Sequence, residues 1–333
     1  MTPLFLSLLG DDALPELRGG QFFSTQFDVV PVVLVLGALA LYGWGVARVN
    51  RLQPRHPWPV GRTVALVGAL VVTSVAVFSF VGVYDGELFY DHMVQHLLLI
   101  MVAAPLFAIA SPIDLAWRAT RGTPHRWLTE ALRSPPARLL GHPATAFVLY
   151  AVTIPLTHLT SWYNYTLLHE DLHNAEHLVY LVIGYLFWRQ VFGSDPSSNR
   201  LHPALQFAYL FMAIPIDTFT GLSLAGATHE LFPAYLSLHR TWGPTLIDDL
   251  HMGGVIMWVG GDTLMLWPMI PVAIRWLHLE ERRSVRVDRE SDMLSAALSS
   301  LDVIPAPPVP GGDSEPAVGT QEPAFGREPG QFP

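Results

Sequence analysis

Seven long apolar stretches govern what this chain can become. A helix needs about 20 mostly apolar residues to cross the hydrocarbon core of a bilayer. Stretches of that kind lie at 27–47, 62–83, 91–111, 143–163, 173–192, 203–223 and 250–277. Composition agrees: 51% of the 333 residues are hydrophobic and only 14% are charged, whereas soluble domains carry roughly a quarter of their residues as charges. The expected fold is all-α, a polytopic membrane protein with seven transmembrane helices.

Arginine sets the expected orientation, because cytoplasmic loops collect basic residues. Arg48, Arg51, Arg55 and Arg62 fall after the first stretch, and Arg118, Arg121, Arg126, Arg133 and Arg138 after the third. Arg189 and Arg200 fall after the fifth, and Arg275, Arg282, Arg283, Arg286, Arg289 and Arg327 after the seventh. These alternate loops hold seventeen of the nineteen basic residues, against Arg18 and Arg240 on the other side. The N-terminus is therefore expected outside and the C-terminus in the cytoplasm. Three regions follow: an extracytoplasmic segment 1–26, a transmembrane domain 27–283, and a tail 284–333. The tail is rich in Pro, Gly and acids, as in Pro305-Ala306-Pro307-Pro308, and is expected to be disordered after a short juxtamembrane helix. The apolar run Thr2–Gly10 lacks a positive region before it and is followed by Asp11 and Asp12, so it is not read as a signal peptide.

Several function classes are excluded by what is absent. The chain has no Cys, which removes disulfides, thiolate metal sites and CxxC redox chemistry. It has no Lys, so no retinal Schiff base can form. The net charge of −9 reflects acids in the tail and outer loops and gives no nucleic-acid footprint. No GxSxG-type nucleophile motif occurs, and an enzyme is not expected.

Histidine is the informative residue. Nine of the fourteen, namely His92, His96, His158, His169, His173, His177, His229, His239 and His251, fall outside or in the outer halves of the expected helices. Polar side chains within a membrane are costly and usually face the bundle interior for a functional reason. His92 and His96 open the third helix, and His173 and His177 open the fifth. Each pair stands at i, i+4, on one helix face and about 6 Å apart along the axis, and both helices start on the same side. Such pairs present two metal ligands from one helix, or they form a hydrogen-bonded polar layer. Asp249 and His251 at the start of the seventh helix either add a ligand, orient an imidazole, or act as N-terminal capping groups. Asp217, two residues beyond Pro215, is a ligand, an acceptor for a ligand, a proton site or a structural hydrogen-bonding group. His158 and Glu176 are weaker candidates. Pro105, Pro155 and Pro215 are expected to kink their helices, and Gly253-Gly254 to allow close helix approach. Met93, Met101, Met252 and Met257 offer thioethers or simply fill apolar space. With imidazole, thioether and carboxylate but no thiolate, copper or zinc fits better than magnesium or calcium.

The run His92-Met93-Val94-Gln95-His96-Leu97-Leu98-Leu99 resembles the opening of the third helix in CtaG-type cytochrome c oxidase assembly factors. Ser111-Pro112, His173-Asn174-Ala175-Glu176-His177-Leu178, Phe187-Trp188, Asp249 and Gly253-Gly254-Val255-Ile256-Met257-Trp258 carry the likeness onward to about residue 262. Leu250 and His251 depart from that pattern, as does Thr157. The resemblance implies a seven-helix protein of the bacterial plasma membrane that assists a haem–copper respiratory oxidase. Copper, handled at the extracytoplasmic face, is the metal it implies, with oxidase subunits, copper ion and the lipid bilayer as partners. Under this reading His92, His96, His173 and His177 bind copper, with Asp217, Asp249 and His251 in support. A haem-binding electron-transfer protein and a metal-ion transporter are the alternative functions.

Overall fold

The computed structural model describes residues 14–26, 28–193, 201–238 and 240–302. Among these residues the secondary structure is helical and contains no strand. Helix α1 (Val29–Leu52) is followed by α2 (Val60–Phe78) and the short α3 (Phe80–Tyr84). Helix α4 (Phe89–Leu97) passes through a π-helical turn, Leu98–Ala103, into α5 (Ala104–Ala110). Three short helices, α6 (Pro112–Ala119), α7 (Gly122–Arg133) and α8 (Pro135–Leu140), lead to α9 (Pro143–His158). Then come α10 (Trp162–Leu167), α11 (Glu170–Phe192), α12 (Pro203–Ala225) and α13 (Leu246–Val255). A second π-helical turn, Ile256–Gly260, joins α13 to α14 (Gly261–Asp302). Residues 284–302 of the expected tail are thus helical, and 303–333 lie outside the described residues, as does 1–13 of the expected N-terminal segment. One compact unit ends at Leu279 and a second begins at Glu280; within the second, the side chains of 280–298 are all exposed.

The exposed surface of the first unit is apolar. On α1 only Tyr42, Gly45 and Val49 are buried, one helical turn apart, while Val33, Leu34, Leu36, Leu41 and Trp44 are exposed. Such a surface is a liability in water and ordinary against acyl chains. Five helical segments are long and apolar enough to cross a membrane: Val29–Leu52, Val60–Tyr84, Phe89–Ala119, Pro203–Ala225 and Leu246–Leu298. This is the pattern of a multi-pass membrane protein. Of the other two expected spans, α9 has only 16 residues, and α11 opens on the polar run Glu170-Asp171-Leu172-His173-Asn174-Ala175-Glu176-His177.

Three devices fix α4, which carries His92 and His96. The first lies at its start. Leu88 precedes α4 and supplies no capping side chain; instead Asp249 of α13 accepts from the backbone N–H groups of Phe89 (3.2 Å) and Tyr90 (2.9 Å). Asp249 therefore caps a neighbouring helix, while α13 is capped by Thr245. Arg240 pairs with Asp249 at 3.0 Å and also donates to the carbonyls of Glu87 and Pro244. The second is close approach: a Cβ on Gly253 would collide with the Phe89 ring, and one on Gly254 would meet the Gly221 carbonyl of α12 at 2.7 Å.

The third is the π-helical turn below the histidines. Pro105 has no N–H, so the helical ladder must open there. Trp188 of α11 donates its indole N–H to the Ile100 carbonyl within the turn at 2.7 Å. Gly184 lets α11 approach, since a Cβ there would fall 2.8 Å from that of Ala104. Pro155 and Pro215, by contrast, sit inside continuous helices. At the opposite end of α5, Asp114 bonds Arg62 (2.7 Å) and Arg118 (3.0 Å) beneath Trp58.

Removing the carboxylate in Asp249→Ala leaves the buried Arg240 guanidinium uncompensated, which costs about 3–5 kcal/mol. Thermal unfolding in detergent should show this loss, and adding Arg240→Met should recover much of it. Trp188→Phe leaves the Ile100 carbonyl without its donor and should cost less, about 1–3 kcal/mol in the same assay.

Candidate metal centre

Five imidazoles converge between α4, α9 and α11. The His92 and His96 rings lie 3.9 Å apart by centroid, and those of His173 and His177 lie 4.6 Å apart. Across the helices, His92 is 5.2 Å from His173 and 6.5 Å from His177, and His96 is 6.1 Å from His177. The last residue of α9, His158, brings its Nε2 to 3.3 Å from Nδ1 of His96. The helix directions explain the meeting. Helices α4 and α11 start at this level and α9 ends at it, so two i, i+4 pairs and one terminal His reach one layer.

The layer is buried and short of partners within the protein. His92, His96, His158 and His177 are all buried. Both ring nitrogens of His92, Nε2 of His96 and Nε2 of His177 have no hydrogen-bond partner. A buried polar atom left unpaired costs about 1–3 kcal/mol, so a purely structural layer would be a poor one. Two sets of three ligand atoms lie within 4.8 Å of one another: His92, His173 and His177, and His92, His96 and His158.

Two hydrogen bonds decide tautomers. The Ile154 carbonyl can only accept, so its 2.9 Å contact with Nδ1 of His158 puts the proton on Nδ1. The lone pair of His158 is then on Nε2, toward His96. In the same way Asp85 accepts from Nε2 of His173 at 3.1 Å, which places that ring's lone pair on Nδ1. A carboxylate behind an imidazole is the usual way to orient a metal-ligating His. Asp85 also accepts from Gln95 at 2.8 Å. Burial works to raise its pKa, but His173, His177 and Gln95 outweigh burial and hold it below the ordinary carboxylate value. Tyr180 stacks on His96 at 4.0 Å, and Tyr163 lies 4.5 Å from His92.

The remaining candidates stand apart. Asp217 accepts the Tyr150 hydroxyl at 2.9 and 2.7 Å on its two oxygens. Its side chain nevertheless borders a cavity of about 20 Å³ that His96, His158, Met93, Met101 and Met257 also line. His251 donates from Nε2 to the Ala227 carbonyl at 2.8 Å, and Asp249 is committed to α4 and Arg240. Glu176 is buried beside the layer and accepts from Thr166 at 3.2 Å. The structure thus brings together His92, His96, His173 and His177, and leaves His251, Asp249 and Asp217 outside both ligand sets. It adds Asp85, which sequence reasoning missed, and His158, which it ranked low. The available signal for His158 was its depth at the outer end of the fourth stretch; for Asp85 it was an acid in the loop just ahead of the His92 helix.

The family described as cytochrome c oxidase caa3 assembly factor (Caa3_CtaG) matches residues 40–278, which contain the whole His layer. A protein of Mycobacterium leprae is 28% identical over 278 residues, covering 81% of this chain and 41% of that protein. Proteins of Mycobacterium bovis and Mycobacterium tuberculosis are 31% identical over 286 residues, with the same shares covered. All three are named uncharacterized proteins. This chain therefore spans less than half the length of the curated relatives it matches. No solved structure matches. With most of its length covered by one family, the chain belongs to the Caa3_CtaG cytochrome c oxidase caa3 assembly factors.

Proposed function

We propose that this assembly factor carries copper at the extracytoplasmic His layer and delivers it to a haem–copper oxidase. It would do so in a bacterial plasma membrane crossed seven times, with the N-terminus outside and the C-terminus in the cytoplasm. The observation that carries this reading is the set of unpartnered buried nitrogens on His92, His96 and His177. They sit on two helices whose remaining neighbours supply tautomers ready for a metal. Copper is the cargo rather than a resident cofactor. His92, His96, His173 and His177 hold it, His158 joins them, Asp85 orients His173, and Asp249 sets the height of the α4 pair. Asp217 and His251 flank the layer. The donor set favours Cu(I): imidazole is joined by the buried thioethers of Met93, Met101 and Met257 around one cavity, and no thiolate or oxygen cage is present. That cavity, about 20 Å³, suits an ion or a water and is far too small for a porphyrin.

Seven crossings account for the Arg distribution and for the alternating helix directions. They require α9 to span with the short α10 beyond it, and α11 to span with its polar first two turns inside the protein.

Purified protein loaded anaerobically with Cu(I) should retain it, without a Soret band. The variant H92A/H96A/H173A/H177A should lose retention, and copper held by this variant as by the parent would end the copper reading. Asp85→Asn should weaken Cu(I) binding about 10–100-fold, the usual effect of removing an orienting group behind a ligand. Alkaline phosphatase fused after Trp242 should be active and after Arg55 inactive; the reverse pattern would overturn the orientation.

A further inference from the structure

The layer divides into two ligand sets that share one residue. His92, His173 and His177 make one, and His92, His96 and His158 the other. His92 is 0% exposed, and both of its ring nitrogens lack a partner. A neutral imidazole offers one lone pair and one N–H, and a single metal bond would satisfy only one of the two atoms. Finding both unmatched, in the ring common to the two sets, is the geometry of a ligand that can serve either.

The surroundings of the two sets differ. His173 stands with Asp85, Gln26, Asp28 and Thr166 on the wall of a cleft of about 350 Å³, and the His173 and Asp85 side chains are 13% and 11% exposed. His96 and His158 instead face the cavity of about 20 Å³ with Met93, Met101 and Met257, and are 4% and 2% exposed. One set touches the outside; the other is enclosed among soft donors.

Building on the copper reading above, we propose that Cu(I) occupies two successive positions. The ion loads at an outer position on His92, His173 and His177, and moves to an inner one on His92, His96 and His158. His92 remains a ligand throughout, on the one nitrogen that carries its lone pair, so its N–H proton does not move. The imidazoles of His173 and His177 are exchanged for those of His96 and His158, and copper stays Cu(I), so no electron donor or acceptor is needed.

The test uses the full chain in detergent, titrated anaerobically with Cu(I) against the chelator bathocuproine disulfonate. H173A/H177A and H96A/H158A should each retain one Cu(I), with X-ray absorption reporting nitrogen ligation in both and added sulfur only in H173A/H177A. H96A/H158A should release its ion to the chelator at least about tenfold faster, and His92→Ala should lose both positions. If only one of the two pair variants binds, and binds like the parent, there is a single position and this proposal falls while the copper reading stands. If His92→Ala and both pair variants all hold copper like the parent, the copper reading falls with it. Where an Ala variant fails to elute as a single species, the Asn replacement, which keeps a polar group of similar size, takes its place.

Discussion

Inside a bilayer each polar group must find its partner within the protein, because no water is there to supply one. Most of this molecule obeys that constraint closely. Asp114 is neutralised by Arg62 and Arg118, Asp249 by Arg240 and two helix N–H groups, and Asp217 by the Tyr150 hydroxyl. Against such pairing, the nitrogens left over on His92, His96 and His177 stand out as four atoms in one place, although Asp91, Gln190, Tyr209 and Asp262 each keep an unpaired atom as well. This concentration of unpaired nitrogens sits where the supporting structure is most elaborate. Asp249 caps α4 from outside, the glycines of α13 and α11 allow contact at backbone distance, and a π-helical turn anchored by Trp188 lies just below. Held in place in this way, these nitrogens are arranged as the proposed copper site requires.

How much of this was legible depends on whether the relation is local. The pairs His92/His96 and His173/His177 are local, because i, i+4 spacing fixes a shared face whatever the fold. Their common depth followed from counting helix directions. His158 reaches the layer from a segment far away in the chain, and Asp85, in the loop just ahead of α4, crosses to His173 of α11, so packing is what reveals these contacts. Asp249 shows a subtler limit. An acid in the first turn of a helix reads as a cap for that helix, yet Thr245 performs that task, and Asp249 crosses to α4. The Thr245-Leu246-Ile247-Asp248 run marks Thr245 as the cap of α13, but where the freed Asp249 goes is set by packing. Likewise Pro105, Pro155 and Pro215 look alike as residues, but only Pro105 adjoins a π-helical turn, where Trp188 of a neighbouring helix receives the displaced carbonyl.

Of the two apolar stretches that do not yield a helix qualifying by length and composition, α9 is short at 16 residues and α11 is polar at its start. Helix α11 falls short because its first two turns hold Glu170, Asp171, His173, Asn174, Glu176 and His177. Those polar residues are the half of the His layer that α11 contributes. A helix that brings polar side chains to a buried layer loses hydropathy at the end that carries them.

Charge adds a last consideration. In the proposed copper site, a Cu(I) ion on neutral imidazoles would carry one positive charge into a region of low dielectric, where an uncompensated charge is costly. Beside the outer set the compensation is at hand: Asp85 lies 3.1 Å from His173 and 3.9 Å from His177. Beside the inner set the nearest carboxylate on the cavity wall is Asp217, already engaged by Tyr150. The proposed outer position would therefore be favoured by electrostatics and the proposed inner one by soft thioether neighbours. Two positions stabilised by different forces can be close in free energy, and a carrier that must accept an ion and later release it requires that near-balance.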